Sequence, residues 1–140
     1  MPHRMIRHGK TAFALALVIT GSTGLFAQTS LSLGTPQWDA SSYTTLALKV
    51  PVTGDTNYNA TVNVRYRQSG TGVWKNAMPL FRVRPETVLN YIVSPQFAGS
   101  IFDLRPGTNY DVELQAVDPD GGSQTLLLAR STRSLPQLPV

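Results

Sequence analysis

The chain carries a turn and an alternating strand in LRPGTNYDVELQA, residues 104–116. Pro106 presets its own φ, and Gly107 supplies the positive φ that a type II turn requires at its next position. Polar and apolar side chains then alternate with a period of two as far as residue 116. This pattern predicts a strand with one buried and one solvated face, as in an antiparallel β-sandwich.

Similar alternation recurs along the rest of the chain and predicts about seven short strands. Pro79, Pro85 and Pro95 interrupt the segment between residues 78 and 97, where the strand pattern is hardest to place. The short strands, the turn signals between them and the absence of a helical pattern favour an all-β sandwich of antiparallel strands with Greek-key connections. The other strands are expected at residues 31–36, 44–50, 60–68, 73–77, 97–104 and 124–132, with a loop at 38–43. Residues 80–83 and 88–93 are also strand-like.

The last expected strand has no clear buried face. Its run Leu126-Leu127-Leu128 is apolar on both sides of the strand. Alternation therefore leaves open which of the three leucines points into the core.

Residues 1–27 are interpreted as a secretory signal peptide. Three basic residues precede a short apolar run, and Leu25-Phe26-Ala27 before Gln28 resembles a cleavage site, although Leu25 fits its position poorly. The unbroken apolar run, residues 12–19, is shorter than the roughly 20 residues that cross a bilayer. We therefore expect a secreted protein, extracellular or periplasmic, with the sandwich at residues 28–133. Residues 134–140 read as a Pro-containing tail, or as the start of a linker to a further domain.

Cleavage at this position removes most of the excess charge. The whole chain has 12 Lys and Arg against 8 Asp and Glu, and three of the basic residues but no acidic residue lie in residues 1–27. The mature chain then carries a net charge of only +1, which does not indicate a nucleic-acid partner. We expect neither nucleic acid nor, after cleavage, a membrane as partner. Because the chain has no cysteine, packing and hydrogen bonds must stabilise it without disulfides.

The residue inventory argues against catalysis. His3 and His8 both lie in the predicted signal peptide, so the mature chain has neither His nor Cys. Ser-His-Asp and Cys-His nucleophiles and the usual ligands of zinc or copper are therefore missing. A carboxylate hydrolase would need two acids converging in a cleft, one of them with a raised pKa. We expect no enzyme, no catalytic or metal residue and no cofactor.

Two segments resemble fibronectin type III domains. Residues 104–117 resemble the family signature L-x-P-G-T-x-Y-x-V-x-V-x-A-V, and NVRYR at residues 63–67 is similar to the family's third strand. The resemblance covers roughly residues 31–133. It implies an all-β, immunoglobulin-like sandwich of about seven antiparallel strands. It also implies that Tyr110 is the tyrosine-corner residue, whose hydroxyl bonds to the backbone a few residues upstream.

Two features differ from the family. Its second strand usually carries a core Trp, which LALK at residues 46–49 lacks, and the segment at 78–97 is longer than usual. The segments at residues 59–62, 65–67 and 97–100 also look similar to N-terminal modules of larger bacterial secreted proteins, some with β-helix or carbohydrate-active partners.

Asp111 and Glu113 form the most prominent acidic pair, because they share one face of a predicted strand. In the resembled topology, the strand with Arg65 and Arg67 lies antiparallel beside them, on the same outer face. We interpret the four side chains as cross-strand ion pairs rather than as a catalytic site.

Five Asx residues in two loops form a candidate calcium site. The resemblance places both loops at the same end of the sandwich, where oxygen ligands could hold Ca²⁺. Turn formation explains the same composition without a metal, and we favour that interpretation. The residues are Asp55, Asn57, Asn59, Asp118 and Asp120.

Two further patterns are weaker. Trp38, Tyr58 and Trp74 are a candidate surface for stacking against sugars, although aromatic side chains more often belong to a core. Asn59-Ala60-Thr61 matches the acceptor pattern for N-glycosylation.

The sequence thus predicts a secreted, non-catalytic fibronectin type III-like domain that serves as a spacer, scaffold or protein-interaction module. The alternative is an accessory domain, carbohydrate-binding or docking, of a secreted carbohydrate-active enzyme. A small carboxylate hydrolase is the third hypothesis. The expected partner is a protein or a polysaccharide that the residues do not identify.

Overall fold

The computed structural model describes residues 30–137, apart from the side chain of Val88. The predicted signal peptide lies outside these residues. Within them the chain forms eleven strands and no helix, so this part holds no helix that could span a bilayer. The strands are β1 (Ser32–Leu33), β2 (Gln37–Trp38), β3 (Leu46–Thr53), β4 (Thr61–Gln68), β5 (Lys75–Asn76), β6 (Phe81–Val83), β7 (Glu86–Val88), β8 (Tyr91–Val93), β9 (Gln96–Ile101), β10 (Asn109–Val117) and β11 (Ser123–Ser131).

The strands form two main sheets. One has the order β1-β3-β9-β6, with β2 also paired to β3, and the other has the order β11-β10-β4-β5. β7 and β8 pair only with each other, and every pairing among the described strands is antiparallel. The predicted all-β, immunoglobulin-like sandwich is confirmed.

The core lies between the two sheets. Every second residue of β3 from Leu46 to Val52 is buried, as the alternation of this segment predicts. Each large apolar side chain that becomes fully buried stabilises the fold by about 1.5–3 kcal/mol. The largest fully buried side chains are Phe97, Leu46, Leu48, Ile101 and Leu114.

The first predicted strand is interrupted, and the second is longer than expected. β1 and β2 are separate short strands, and Trp38, expected in a loop, lies in β2. β3 continues through Pro51, whose carbonyl accepts the N–H of Gly34 at 2.8 Å. In an antiparallel ladder the N–H and C=O of one residue point to the same side. The missing N–H of Pro51 therefore faces Gly34, between β1 and β2, so the proline removes no bond to β9 on the other side.

The segment between β6 and β9 forms a hairpin. The prediction of one strand over residues 88–93 is wrong, because Leu89 and Asn90 form a turn between β7 and β8. Their φ angles are 48° and 67°, and positive φ at both central residues is typical of a type I′ turn. The strand expected at 97–104 is β9, which ends at Ile101.

β11 resolves the ambiguity of the three leucines. Leu126 and Leu128 pack against the core, whereas Leu127 is 71% exposed on the outer face of its sheet. The strands expected at 60–68, 73–77 and 124–132 correspond to β4, β5 and β11, with ends that differ by one or two residues.

Candidate functional site

Three connections between strands meet at one end of the sandwich, which we call the loop end. Gln96 of β9 pairs with both Pro51 of β3 and Val83 of β6, so the connections that leave β3 and β6 start side by side. The turn between β10 and β11 joins them through side-chain hydrogen bonds. The loop end consists of residues 54–60, residues 84–95 with the hairpin β7–β8, and residues 118–122.

Asp55 fastens the β3–β4 loop to β6. Its side chain is fully buried, and Oδ2 lies 2.9 Å from Nε of Arg82. Oδ1 accepts the backbone N–H groups of Asn59 at 2.9 Å and Ala60 at 3.1 Å. Both oxygens of this carboxylate are thus engaged within the protein. The structure gives Asp55 the role of a buried ion-pair partner that shapes the loop.

Tyr58 lies between two arginines at the loop end. The guanidinium of Arg82 is 5.1 Å from the centre of the Tyr58 ring, and that of Arg84 is 4.9 Å from it. Arg82 also lies 5.1 Å from the Phe97 ring centre. Such cation–π contacts hold the side chains in fixed positions. They leave Arg84 as an exposed positive charge close to the hairpin.

The β10–β11 turn is tied to the β3–β4 loop, which places the two predicted Asx loops together. Oδ2 of Asp120 accepts the amide groups of Asn57 and Asn59, each at 2.6 Å. The buried Asp118 accepts the N–H of Asp120 at 2.9 Å through Oδ1. These bonds fit the turn-forming interpretation. No group of three or more acidic, His or Cys side chains suited to a metal occurs within residues 30–137.

The same contact affects the predicted glycosylation pattern. The side chain of Asn59 lies at the surface, but its amide nitrogen donates to Asp120. Glycosylation would have to replace this bond, and the use of Asn59 as an acceptor stays a prediction.

The hairpin β7–β8 carries exposed apolar side chains at the loop end. Leu89 at the turn is 97% exposed, and Tyr91 and Ile92 on β8 are 73% and 74% exposed. Phe81 on the neighbouring strand β6 is also exposed. Surface apolar residues are ordinary when isolated, but three of them on one short hairpin are typical of an interaction site.

The acidic pair on β10 forms the predicted cross-strand ion pairs. Glu113 lies opposite Arg65, and its two oxygens are 2.6 Å from Nε and 2.9 Å from Nη2 of that residue. Asp111 lies opposite Arg67, with Oδ2 2.9 Å from Nε. The ring of Trp74 packs under both arginines, 5.0 and 4.6 Å from their guanidinium carbons. The predicted cross-strand ion pairs are confirmed, but the face is only partly solvated, because Glu113 is buried.

Both acids of this pair are held in their ionised form. Hydrogen bonds from Ser69 and then Arg67 lower the pKa of Asp111 below its ordinary value. The bond from Arg65 lowers the pKa of Glu113, aided by Gln115 and opposed by burial. A carboxylate hydrolase needs one acid with a raised pKa. This pair lacks such an acid.

The three aromatic residues considered for sugar stacking lie in separate places. Trp38 is on β2 and packs against the core, Tyr58 is at the loop end, and Trp74 covers the arginines of β4. The structure does not bring them together as one flat surface.

Tyr110 makes the predicted corner at the start of β10. Its ring is buried, and its hydroxyl accepts the N–H of Arg105 at 2.8 Å. Gly107 between them has a φ of 59°, as the predicted turn requires. A buried tyrosine that bonds back to the chain at this corner is typical of immunoglobulin-like sandwiches, and the strand order agrees. The fold is that of a fibronectin type III domain.

The chain was compared with protein families, curated proteins and solved structures. No protein-family model and no curated protein matches the chain. Among solved structures, the chain is similar to the solution structure of a fibronectin type III domain derived from the human KIAA0970 protein. The two share 16% sequence identity with a TM-score of 0.49, over 77% of this chain and 78% of the other.

Sequence reasoning missed two features of the loop end. The ion pair between Asp55 and Arg82 joins residues far apart in the chain, and no local pattern connects them. The sequence did not predict the turn at the hairpin tip, because Leu89 is an unfavourable residue for positive φ. Asn90 was the available signal, since Asn tolerates the left-handed region and is common in hairpin turns.

Proposed function

We propose that this chain is a non-catalytic interaction module of an exported protein, and that the hairpin β7–β8 contacts the partner. The proposal rests mainly on Leu89. It is almost fully exposed and has a φ of 48°, where a side chain with Cβ costs roughly 1–2 kcal/mol. Strain of this kind is common at functional positions. The apolar side chain at the tip gains little from burial in the fold, but it is available to a partner.

The surroundings of Leu89 favour a protein as partner. Tyr91 and Ile92 on the same hairpin add aromatic and apolar surface of the kind that forms the centre of protein interfaces. Arg84 adds a positive charge beside this surface. A partner with an apolar pocket and an acidic rim would match both features.

Capture of partners by the full chain tests this proposal. The chain is purified after export and immobilised, and it is exposed to secreted proteins and, separately, to insoluble polysaccharides. The double variant Leu89→Asn/Ile92→Thr removes apolar surface from the hairpin. Val73→Thr, at an exposed apolar position in the β4–β5 connection, is the matched control.

We expect a protein that the wild type and Val73→Thr retain and that the hairpin variant loses. Retention on a polysaccharide, unchanged in the hairpin variant, would instead support the accessory domain of a carbohydrate-active enzyme. Equal capture of every protein by all three forms would overturn the role of the hairpin.

Export is tested separately. We propose that the chain is secreted after removal of residues 1–27, because their charge and apolar pattern fit a signal peptide. The intact mass of the protein recovered outside the cytoplasm should correspond to a chain that begins at Gln28. Retention of the full-length chain in the cytoplasm would contradict export.

A further inference from the structure

β11 is a long unpaired edge of the four-stranded sheet. It has nine residues, and its only neighbour is β10. From Ser123 to Ala129 it contains neither a charged residue nor proline. Natural proteins usually protect such edges with charges, prolines or short strands, because an exposed edge can pair with another chain.

The other edges of the two sheets are protected in these ways. β1 and β2 have two residues each, β5 has two residues including Lys75, and β6 has three. β11 thus differs from every other sheet edge within residues 30–137.

The hydrogen-bond pattern shows which groups of β11 are unpaired. The N–H of Thr132 donates to Thr108, and the N–H of Asp118 donates to Gly122, both in the register of β10 with β11. Because paired residues alternate along an antiparallel ladder, the even-numbered residues of β11 bond to β10. The odd-numbered residues point their N–H and C=O groups away from the sheet. Their backbone groups have no hydrogen-bond partner within the described chain.

We propose that two copies of this chain associate through β11, antiparallel and centred on Leu127, to form one sheet through both copies. Only this register pairs all the outward-pointing residues of both copies. Leu127 lies opposite Leu127 of the second copy, residue 125 lies opposite residue 129, and residue 123 lies opposite residue 131. Each such pair can exchange two N–H···O bonds.

The side chains are self-complementary in the same register. Leu127 meets Leu127 of the second copy on the outer face, and Leu126 meets the second copy's Leu128 on the inner face. These inner leucines are only partly buried at the open edge of one sandwich. Arg130 lies opposite the neutral Gln124, so no like charges face each other. A shift of the second copy by one pairing step along β11, in either direction, would place Gln124 or Arg130 opposite a leucine. This mismatch favours the central register.

Sedimentation of the full exported chain over a wide concentration range tests this association. We expect a concentration-dependent dimer that Leu127→Arg abolishes, because the substitution places two positive charges at the centre of the pairing. Val73→Arg adds the same charge at another exposed apolar position and should leave the dimer unchanged. Circular dichroism checks that both variants are folded.

Cysteine cross-linking tests the register, since the chain has no cysteine of its own. The Cα atoms of a hydrogen-bonded pair lie about 5.5 Å apart, within the range of a disulfide, so Leu127→Cys should cross-link on mild oxidation. In this register Thr125→Cys lies about 13 Å along the strand from its counterpart and should not. A wild type that stays monomeric at all concentrations would overturn the proposal, as would a dimer insensitive to Leu127→Arg. Equal cross-linking of both cysteine variants would overturn the register.

Discussion

The hydroxyl of Tyr110 satisfies a backbone group at the corner before β10. Tyr110→Phe removes the acceptor for the Arg105 N–H and should reduce the free energy of unfolding by about 1–3 kcal/mol. Denaturant unfolding measures the change. Tyr66→Phe is the matched control, because the Tyr66 ring contacts Tyr110 while its hydroxyl has no hydrogen bond in the described part of the chain. Equal stability of the wild type and Tyr110→Phe would argue against the corner.

Removal of the buried carboxylate of Asp55 should reduce the free energy of unfolding more than Tyr110→Phe does. Asp55→Ala leaves Arg82 without its partner at a site where that side chain is only 10% exposed. Loss of one partner of a buried pair costs about 3–5 kcal/mol. Unfolding of the double variant Asp55→Ala/Arg82→Met should show that the two effects are not additive. Asp39→Ala, at an exposed aspartate, should change stability by less than about 0.5 kcal/mol.

At the scale of elements, the ion pairs between β4 and β10 make stability depend on pH. The pKa values of Asp111 and Glu113 are lower in the folded state than their ordinary values. Their contribution is present above the unfolded values of about 3.9 and 4.3, and it is lost as the pH falls through the lower folded values. Melting temperatures from pH 7 to strong acid should therefore fall below about pH 4. Asp111→Asn/Glu113→Gln should show a shallower fall, and an unchanged slope would contradict the role of this pair.

We expect Leu89 to lower the melting temperature of the protein while it supports the proposed binding of a partner. Leu89→Asn places a residue that tolerates positive φ at the turn, so it should raise the melting temperature while it weakens partner binding. Thermal unfolding followed by circular dichroism measures the first effect, with Val73→Asn as the control for added polarity. A lower melting temperature for Leu89→Asn would show that the leucine stabilises the hairpin.

At the scale of the whole molecule, the sandwich should not need the hairpin. β7 and β8 pair with neither main sheet, whereas Val83 and Gln96 on either side of them are paired. Replacing residues 86–93 by Asn-Gly should leave the sheets intact, because halving a connection changes its closure entropy by about 0.6 kcal/mol. Far-ultraviolet circular dichroism and denaturant unfolding check this outcome. Loss of cooperative unfolding would show that the two sheets cannot fold without the hairpin.

The two proposed contact elements, the hairpin β7–β8 and the edge strand β11, lie on different parts of the sandwich. The hairpin belongs to the connection between β6 and β9, and β11 is the edge of the opposite sheet, so the two contacts do not compete. Antiparallel pairing through β11 places the two loop ends at opposite ends of the dimer. Each dimer would then present two hairpins to separate partners, and a multivalent partner would bind more tightly than a single contact allows.

The alternation of polar and apolar residues in the sequence was enough to predict much of the fold. It predicted the strands around Leu48, Val64 and Val112 with their buried faces, because a side-chain period of two is a local property of the chain. The turn at Gly107 and the corner at Tyr110 were also predictable, since a few adjacent residues carry both signals.

Only the tertiary structure decided what depends on distant neighbours. It paired Asp55 with Arg82, turned residues 88–93 into a hairpin and chose the outward face for Leu127. A run of leucines satisfies either face of a strand until the opposite sheet covers one of them. The edge position of β11 likewise follows from strand order, which no local pattern of residues specifies.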